Sequence, residues 1–321
     1  MRKLFACLVP HLLNISNSLF AQIRRNESQF WHRIVTVDKT WLLEYSIFII
    51  MHFNAELYNT MDKPWETILA FLNKTLPKLG WNSDEPEVVM DVGSGPGYLS
   101  KNYILPSFPN LKKLIAMDAT PSMIEEAKIR HPHSKIEYVM ADMEDRSTID
   151  QWLGQITKLI SIHCFNWLKD QKTGFQATYN LLKPGGEAAF LFGLQSPYYD
   201  GIIETGKLPK YRSYLEGVDF CIPESYRDNY DSSNYKKMLE DIGFKVIHCM
   251  DEIKEDILPS DQEFKDIFYS VCPLVKYLPE HLREEFKNDL FQNILKHNGR
   301  SQAGLPIHRC RTVEIFVKKE K

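Results

Sequence analysis

Most of the features that would assign this chain at a glance are missing from it. Its 321 residues hold six cysteines, at Cys7, Cys164, Cys221, Cys249, Cys272 and Cys310, and no two form a C-x-x-C pair. That scatter excludes a zinc ribbon and a disulfide framework, so we expect a reducing, cytoplasmic setting and no metal. Basic charge is not in excess either: 39 Lys and Arg against 42 Asp and Glu leave a net charge of −3. No overall field draws the chain to nucleic acid or to an anionic membrane, and neither is expected as a partner. No stretch reaches the roughly 18 uninterrupted apolar residues of a membrane span. Internal repeats and low-complexity tracts are absent as well, which excludes solenoids and disordered arrays.

What is present is an ordinary core-forming composition, with 44% hydrophobic and 25% charged residues, and one dense motif. In Val88-Val89-Met90-Asp91-Val92-Gly93-Ser94-Gly95-Pro96-Gly97-Tyr98-Leu99, an apolar run ends near an acid, and three glycines follow at every second position. The apolar run predicts a buried strand and the residues after Gly97 a helix. Glycines so spaced let the backbone approach a ligand closely, and the helix N-terminus offers free N–H groups to a carboxylate or phosphate. Asp91 adds a negative charge before the turn, suited to a cationic ligand group. The next apolar segment, 111–117, ends in Asp118, placed where a ribose needs acceptors for its hydroxyls. A third, 136–140, leads into Ala141-Asp142-Met143. There Asp142 suits an adenine amino group and Met143 the face of the ring. Ala119 and Met123, beside the Thr120-Pro121-Ser122 helix start, complete the expected binding set.

The G-x-G-x-G spacing after D-x is tighter than the dinucleotide fingerprint G-x-G-x-x-G, and it resembles the loop of S-adenosylmethionine (SAM) methyltransferases. Further along, strands are expected at 87–92, 112–117, 135–140, 157–162, 187–193, 244–250 and 311–318. Helices are expected at 97–105, 121–130, 147–153, 170–181 and 232–241. Asn54 to Asn73 is apolar at helical spacing and should lead into the core or lie over the cofactor. Repeated βα units imply an α/β fold: a seven-stranded, mostly parallel Rossmann-like methyltransferase sheet with helices on both faces. Residues 195–235 and 254–300 exceed what the sheet needs. Their aromatic content, including Tyr198, Tyr199, Tyr211, Phe264 and Phe268, suits a helical cap over an apolar substrate pocket.

Four stretches, Asn54-Ala55-Glu56-Leu57-Tyr58, the glycine loop, Asn166-Trp167-Leu168-Lys169-Asp170-Gln171 and Ser213-Tyr214-Leu215-Glu216, resemble juvenile hormone acid (farnesoic acid) O-methyltransferases of arthropods. The resemblance spans essentially 51–321. It implies a small apolar carboxylic acid as acceptor and places Trp167 at the reaction site. Two departures stand out: Asn166 occupies the place where many members carry His, and Asp62-Lys63-Pro64-Trp65-Glu66 lacks their glutamine. A carboxylic acid of pKa about 4–5 is already ionised at neutral pH, so methylating it needs no base. A hydroxyl or amine acceptor would need one, and His163 at the end of the fourth strand is the nearest candidate. Two other readings stay open: a methyltransferase for another small acceptor, and a SAM-binding protein with little activity.

Residues 1–50 form a different kind of sequence. Met1-Arg2-Lys3 and the apolar 4–13 imitate a signal peptide, but Pro10 and His11 interrupt them and no small-x-small cleavage site follows. Residues 24–46, with Phe30-Trp31-His32 leading to Asp38, resemble a fragment of a mariner-type transposase around its first metal-binding aspartate. No further ligating acids follow, and a metal site needs several oxygen ligands. We therefore expect an appended segment outside the enzyme fold, with Met51 as its original start and 51–321 as the methyltransferase domain.

Overall fold

Seven strands of one sheet run in the order β3-β2-β1-β4-β5-β7-β6. The computed structural model describes residues 54–58, 64–81 and 85–321; the expectations for residues 1–50, the transposase-like 24–46 included, lie outside them. The strands are β1 Glu87–Val92, β2 Leu111–Asp118, β3 Ile136–Met140, β4 Ile156–Ile162, β5 Leu182–Gln195, β6 Phe244–Ile257 and β7 Ile307–Lys319. The first five are parallel, and β7 runs antiparallel between β5 and β6. The order reverses at β1 and β4, which opens a crevice at their carboxyl ends.

Alternation along each strand divides the core between the two faces. Val89, Ile160, Ala189, Leu191 and Phe316 pack with Phe71, Leu76, Trp81 and Ile104 on one side. Met90, Leu159, Phe190, Phe192 and Ile315 pack with Phe175, Tyr235 and Leu239 on the other. The helices start where the side chains dictate. Asp170 accepts from Thr173 N and Oγ1 at 3.0 and 2.7 Å to open Gln171–Leu181. Asp231 and Asn234 form a reciprocal capping box before Ser232–Ile242, which Gly243 ends at φ 108°.

Three local expectations change. The helix after the glycine loop is π-wound over Ser100–Ile104 and tightens to 3₁₀ over Leu105–Ser107, where Pro106 has no N–H to continue it. The fifth strand, expected from 187, begins at Leu182 and takes in Lys183-Pro184-Gly185-Gly186, where its register against β4 shifts. Strands β6 and β7 outrun their apolar cores, staying paired out to Ile257 opposite Ile307. Polar residues dominate this outer ladder, so its period-2 signal is faint.

The cap has its own core, in which Tyr198, Tyr199, Tyr211, Phe264, Phe268, Leu274, Phe286 and Ile294 are buried together. Helix Pro197–Gly206 approaches helix Glu280–Asn298 so closely at Gly201 that a Cβ there would sit 2.4 Å from Ile294 Cγ1. Tyr214 and Tyr277, also in these aromatic insertions, are exposed instead. Among the described residues no helix is long and apolar enough to cross a membrane, and no group of His, Cys, Asp or Glu could hold a metal.

Candidate active site

The crevice is built around the glycine loop, whose Gly93, Gly95 and Gly97 all take positive φ, at 75°, 53° and 84°. Close approach is required as much as torsion. A Cβ on Gly93 would fall 2.3 Å from Cys164 Cβ, and one on Gly97 would fall 2.8 Å from the Tyr138 ring. Met117 O receives N–H bonds from Gly93 and Ser94, at 2.8 and 2.9 Å. Asp118 then braces the turn, accepting from Gly95 N–H at 2.9 Å and Thr120 N–H at 2.8 Å. Burial raises its carboxyl above the usual carboxylate range, and Asp142 nearby adds to this against those hydrogen bonds.

A groove of about 550 Å³ runs along this loop, lined by Gly93, Ser94, Gly95, Tyr98, Tyr58 and Ile162 among others. The residues there fit SAM on three observations. Ser94 Oγ is buried with no partner in the described structure, as a ligand-facing hydroxyl would be. Gly95 leaves the groove open beside it, since a Cβ there would meet nothing nearer than the Tyr58 ring at 3.8 Å. The third is electrostatic: Asp91, Asp118 and Asp142 are all close enough to raise the Cys164 thiol, itself driven up mainly by burial. Such an acidic surround favours a cationic ligand.

The predicted binding residues occupy unequal places. Asp91 is 3% exposed and lies beneath the loop, where Ser100 Oγ donates to it at 2.6 Å. Burial, opposed by that bond, pushes its carboxyl up to about 7. Asp142 is half-buried, accepts from Glu144 N–H at 2.9 Å, and is tied at its own backbone to Thr148 Oγ1. Ala119 is half-buried after Asp118. Met123 and Met143 are buried, Met143 within the main core.

Beyond Ile162 the chain enters a second cavity of about 690 Å³, open at its mouth, which shares Tyr58 and Ile68 with the groove. His163, Asn166 and Trp167 line it, with Tyr198, Tyr199, Ile267 and Phe268 from the cap. Trp167 meets Tyr198 and Tyr199 edge-on, with centroids 6.2 and 6.4 Å away. With the Asn166 amide oxygen toward the ring, it accepts from Trp167 Nε1–H and Tyr199 O–H, both at 3.2 Å, and its nitrogen donates to His163 O at 3.3 Å. Asn166 thus holds Trp167 in place. His163 lies at φ 52° and burial pushes it down to about 4. A histidine so held is neutral at pH 7 and is suited to donating a hydrogen bond rather than to capturing a proton.

Sequence reasoning missed four residues here. Trp65, read as one apolar position of a helix, faces the cavity; Ser196, His308 and Cys310 line it too. His308, pushed down to about 3 by burial and by His163, enters on the outer part of β7. A lone histidine ahead of the expected strand carried no signal. Tyr58, quoted only within a resemblance, lies at the junction, and burial with the Asp118 charge pushes its phenol up to about 12.

A family model described as a methyltransferase domain matches residues 90–190, the segment from β1 through most of β5. Juvenile hormone acid O-methyltransferase of Drosophila melanogaster is 24% identical over 233 residues, which is 71% of this chain and 77% of that protein. The enzyme of the same name from Bombyx mori is 26% identical, over 74% of this chain and 84% of that one. The chain is a SAM-dependent methyltransferase. The methyltransferase also matches malonyl-[acyl-carrier protein] O-methyltransferase of Acetivibrio thermocellus, at 30% identity over 44% of this chain and 47% of that protein. A solved structure of a Bacillus halodurans protein named as a methyltransferase shares the fold. It has a TM-score of 0.50 and 17% identity, covering 77% of the methyltransferase and 99% of that chain.

Proposed function

We propose that the methyltransferase esterifies the carboxylate of a small apolar acid of the farnesoic or juvenile hormone acid kind. The observation that carries this is the aromatic cavity beside the cofactor groove, whose two histidines are held down to about 4 and about 3 by burial. A cavity lining with no base near neutrality among the described residues suits an acceptor that arrives ionised. The named function of the two insect relatives supports the acid class.

The Mechanism is one of placement. SAM, when bound, supplies the methyl group as a sulfonium that leaves as a neutral thioether. The glycine loop with Ser94 would hold its amino-acid end, Asp118 its ribose and Asp142 its adenine. Trp167, fixed by Asn166, walls the acceptor cavity, and the cap residues Tyr198, Tyr199 and Phe268 exclude water from the carboxylate oxygen. We assign the enzyme to the cytoplasm, in keeping with Cys164, Cys221, Cys249, Cys272 and Cys310 all being unpaired.

The test is methyl transfer from labelled SAM to a panel holding farnesoic acid, juvenile hormone acid, straight-chain fatty acids, farnesol and an apolar amine. Methyl esters from the acids are expected, with no product from the alcohol or amine. A product from the alcohol or amine, but not the acids, would sink this reading. Cofactor binding without any product would establish a SAM-binding protein of little activity.

A further inference from the structure

Two buried nitrogens that line the acceptor cavity have no partner among the described residues: Trp65 Nε1 and His163 Nε2. Buried donors are nearly always satisfied, and an orphan pair in one cavity marks where a ligand acceptor belongs. The two rings meet edge to face with centroids 5.5 Å apart, so one small group lies within reach of both. Around them the walls are already satisfied. His308 packs on Trp65 at 4.8 Å, with its Nε2 against Ser196 Oγ at 3.1 Å. Phe268 closes the box at 6.1 Å from Trp65 and 5.0 Å from His308.

The position of the pair matters as much as its chemistry. His163 directly follows Ile162, a wall of the cofactor groove, and Ile68 of the helix that begins after Trp65 lines both cavities. The orphan nitrogens therefore mark the cofactor end of the acceptor cavity. His163 sits in the left-handed backbone region, φ 52°, which non-glycine residues rarely take and which recurs at binding sites.

Resting on the acid reading above, we infer that Trp65 Nε1–H and the His163 imidazole are the anchor of the acceptor carboxylate. Each donates one hydrogen bond to the carboxylate, leaving a lone pair free to face the methyl donor. The apolar tail lies along Tyr198, Ile267 and Val271. Both groups position the acceptor; neither moves a proton. The anchor belongs to this chain's own residues, for Trp65 stands in the stretch that lacks glutamine.

The experiment is titration calorimetry of the full chain loaded with S-adenosylhomocysteine, using farnesoate and, with the same tail but no carboxylate, farnesol. Wild type should prefer farnesoate. Trp65→Phe and His163→Phe should each weaken farnesoate by about tenfold or more, as losing a bond to a charged group does, and leave farnesol unchanged. His163→Asn, which keeps a donor and tolerates the left-handed backbone, should recover part of the loss. Unchanged S-adenosylhomocysteine affinity in each variant reports an intact fold. Farnesoate affinity unchanged in both Phe variants, or falling in step with farnesol, overturns the anchor and leaves the acid reading standing. A wild type without preference for farnesoate overturns both.

Discussion

At the scale of single residues, the acids of the crevice divide between holding the loop and meeting a ligand. Asp91 holds: it is buried, satisfied by Ser100, and pushed up to about 7 from 3.8. Its folded pKa exceeds its unfolded one, so its contribution to stability is fully present below 3.8 and is lost as pH rises through about 7. Asp91→Asn removes that dependence. The melting temperature of the variant should gain on wild type between about pH 5 and about pH 8, by the equivalent of a few kcal/mol at most. A constant difference across that range would show that Asp91 does not titrate there. Asp118 holds the loop too, its two oxygens taking N–H bonds from Gly95 and Thr120, and on the proposed reading it also meets the ribose. Asp118→Ala should weaken SAM by roughly 10–100-fold in a binding titration. That the glycines and the three acids stand at strand ends was legible, because spacing along a βα unit dictates where those ends fall. That Gly93 must be glycine because Cys164 crosses it was not, since nothing local links the two.

At the scale of elements, the acceptor cavity depends on how one helix is fastened. Asp256, on the outer part of β6, accepts from Thr67 N–H at 3.0 Å and Thr67 Oγ1 at 2.7 Å, at the start of the helix over 66–78. That bond pair fixes the segment carrying Trp65 and Ile68 over the site. Asp256→Ala should raise the KM for the acceptor by about 3–10-fold, as loss of two hydrogen bonds to a carboxylate loosens the helix. SAM affinity should change less, since the glycine loop is untouched. Equal losses for both ligands would place Asp256 in general stability instead. This part of the site was hidden in the sequence, because Asp256 and His308 lie beyond the apolar stretches that mark β6 and β7. Their pairing out to Ile257 and Ile307 is a ladder of backbone bonds with little side-chain pattern.

At the scale of the whole molecule, the charge asymmetry between neighbouring cavities sets their ligands. Asp91, Asp118 and Asp142 stand about Cys164 behind the glycine loop, while neutral histidines and aromatic rings wall the neighbouring cavity. On the proposed reading a cation and an apolar anion take adjacent places there, and the cap with its own buried core keeps water out between them. We propose in addition that residues 51–321 are the complete catalytic unit. Deleting 1–50 should leave SAM affinity and melting temperature unchanged; a fall in either would make that segment part of the fold.

By itself the sequence determined the sheet, the cofactor and the class of reaction. The sheet follows from local rules, apolar runs making strands and glycines permitting a tight turn, while the cofactor and the methyl transfer follow from the motifs' resemblance to known methyltransferases. Tertiary structure alone decided which aromatics face the acceptor. It buried Tyr211, exposed Tyr214 and Tyr277, and brought Trp65, His163 and His308 from three distant elements into one box. A pocket wall is a property of packing between elements, and such packing leaves no period in the chain.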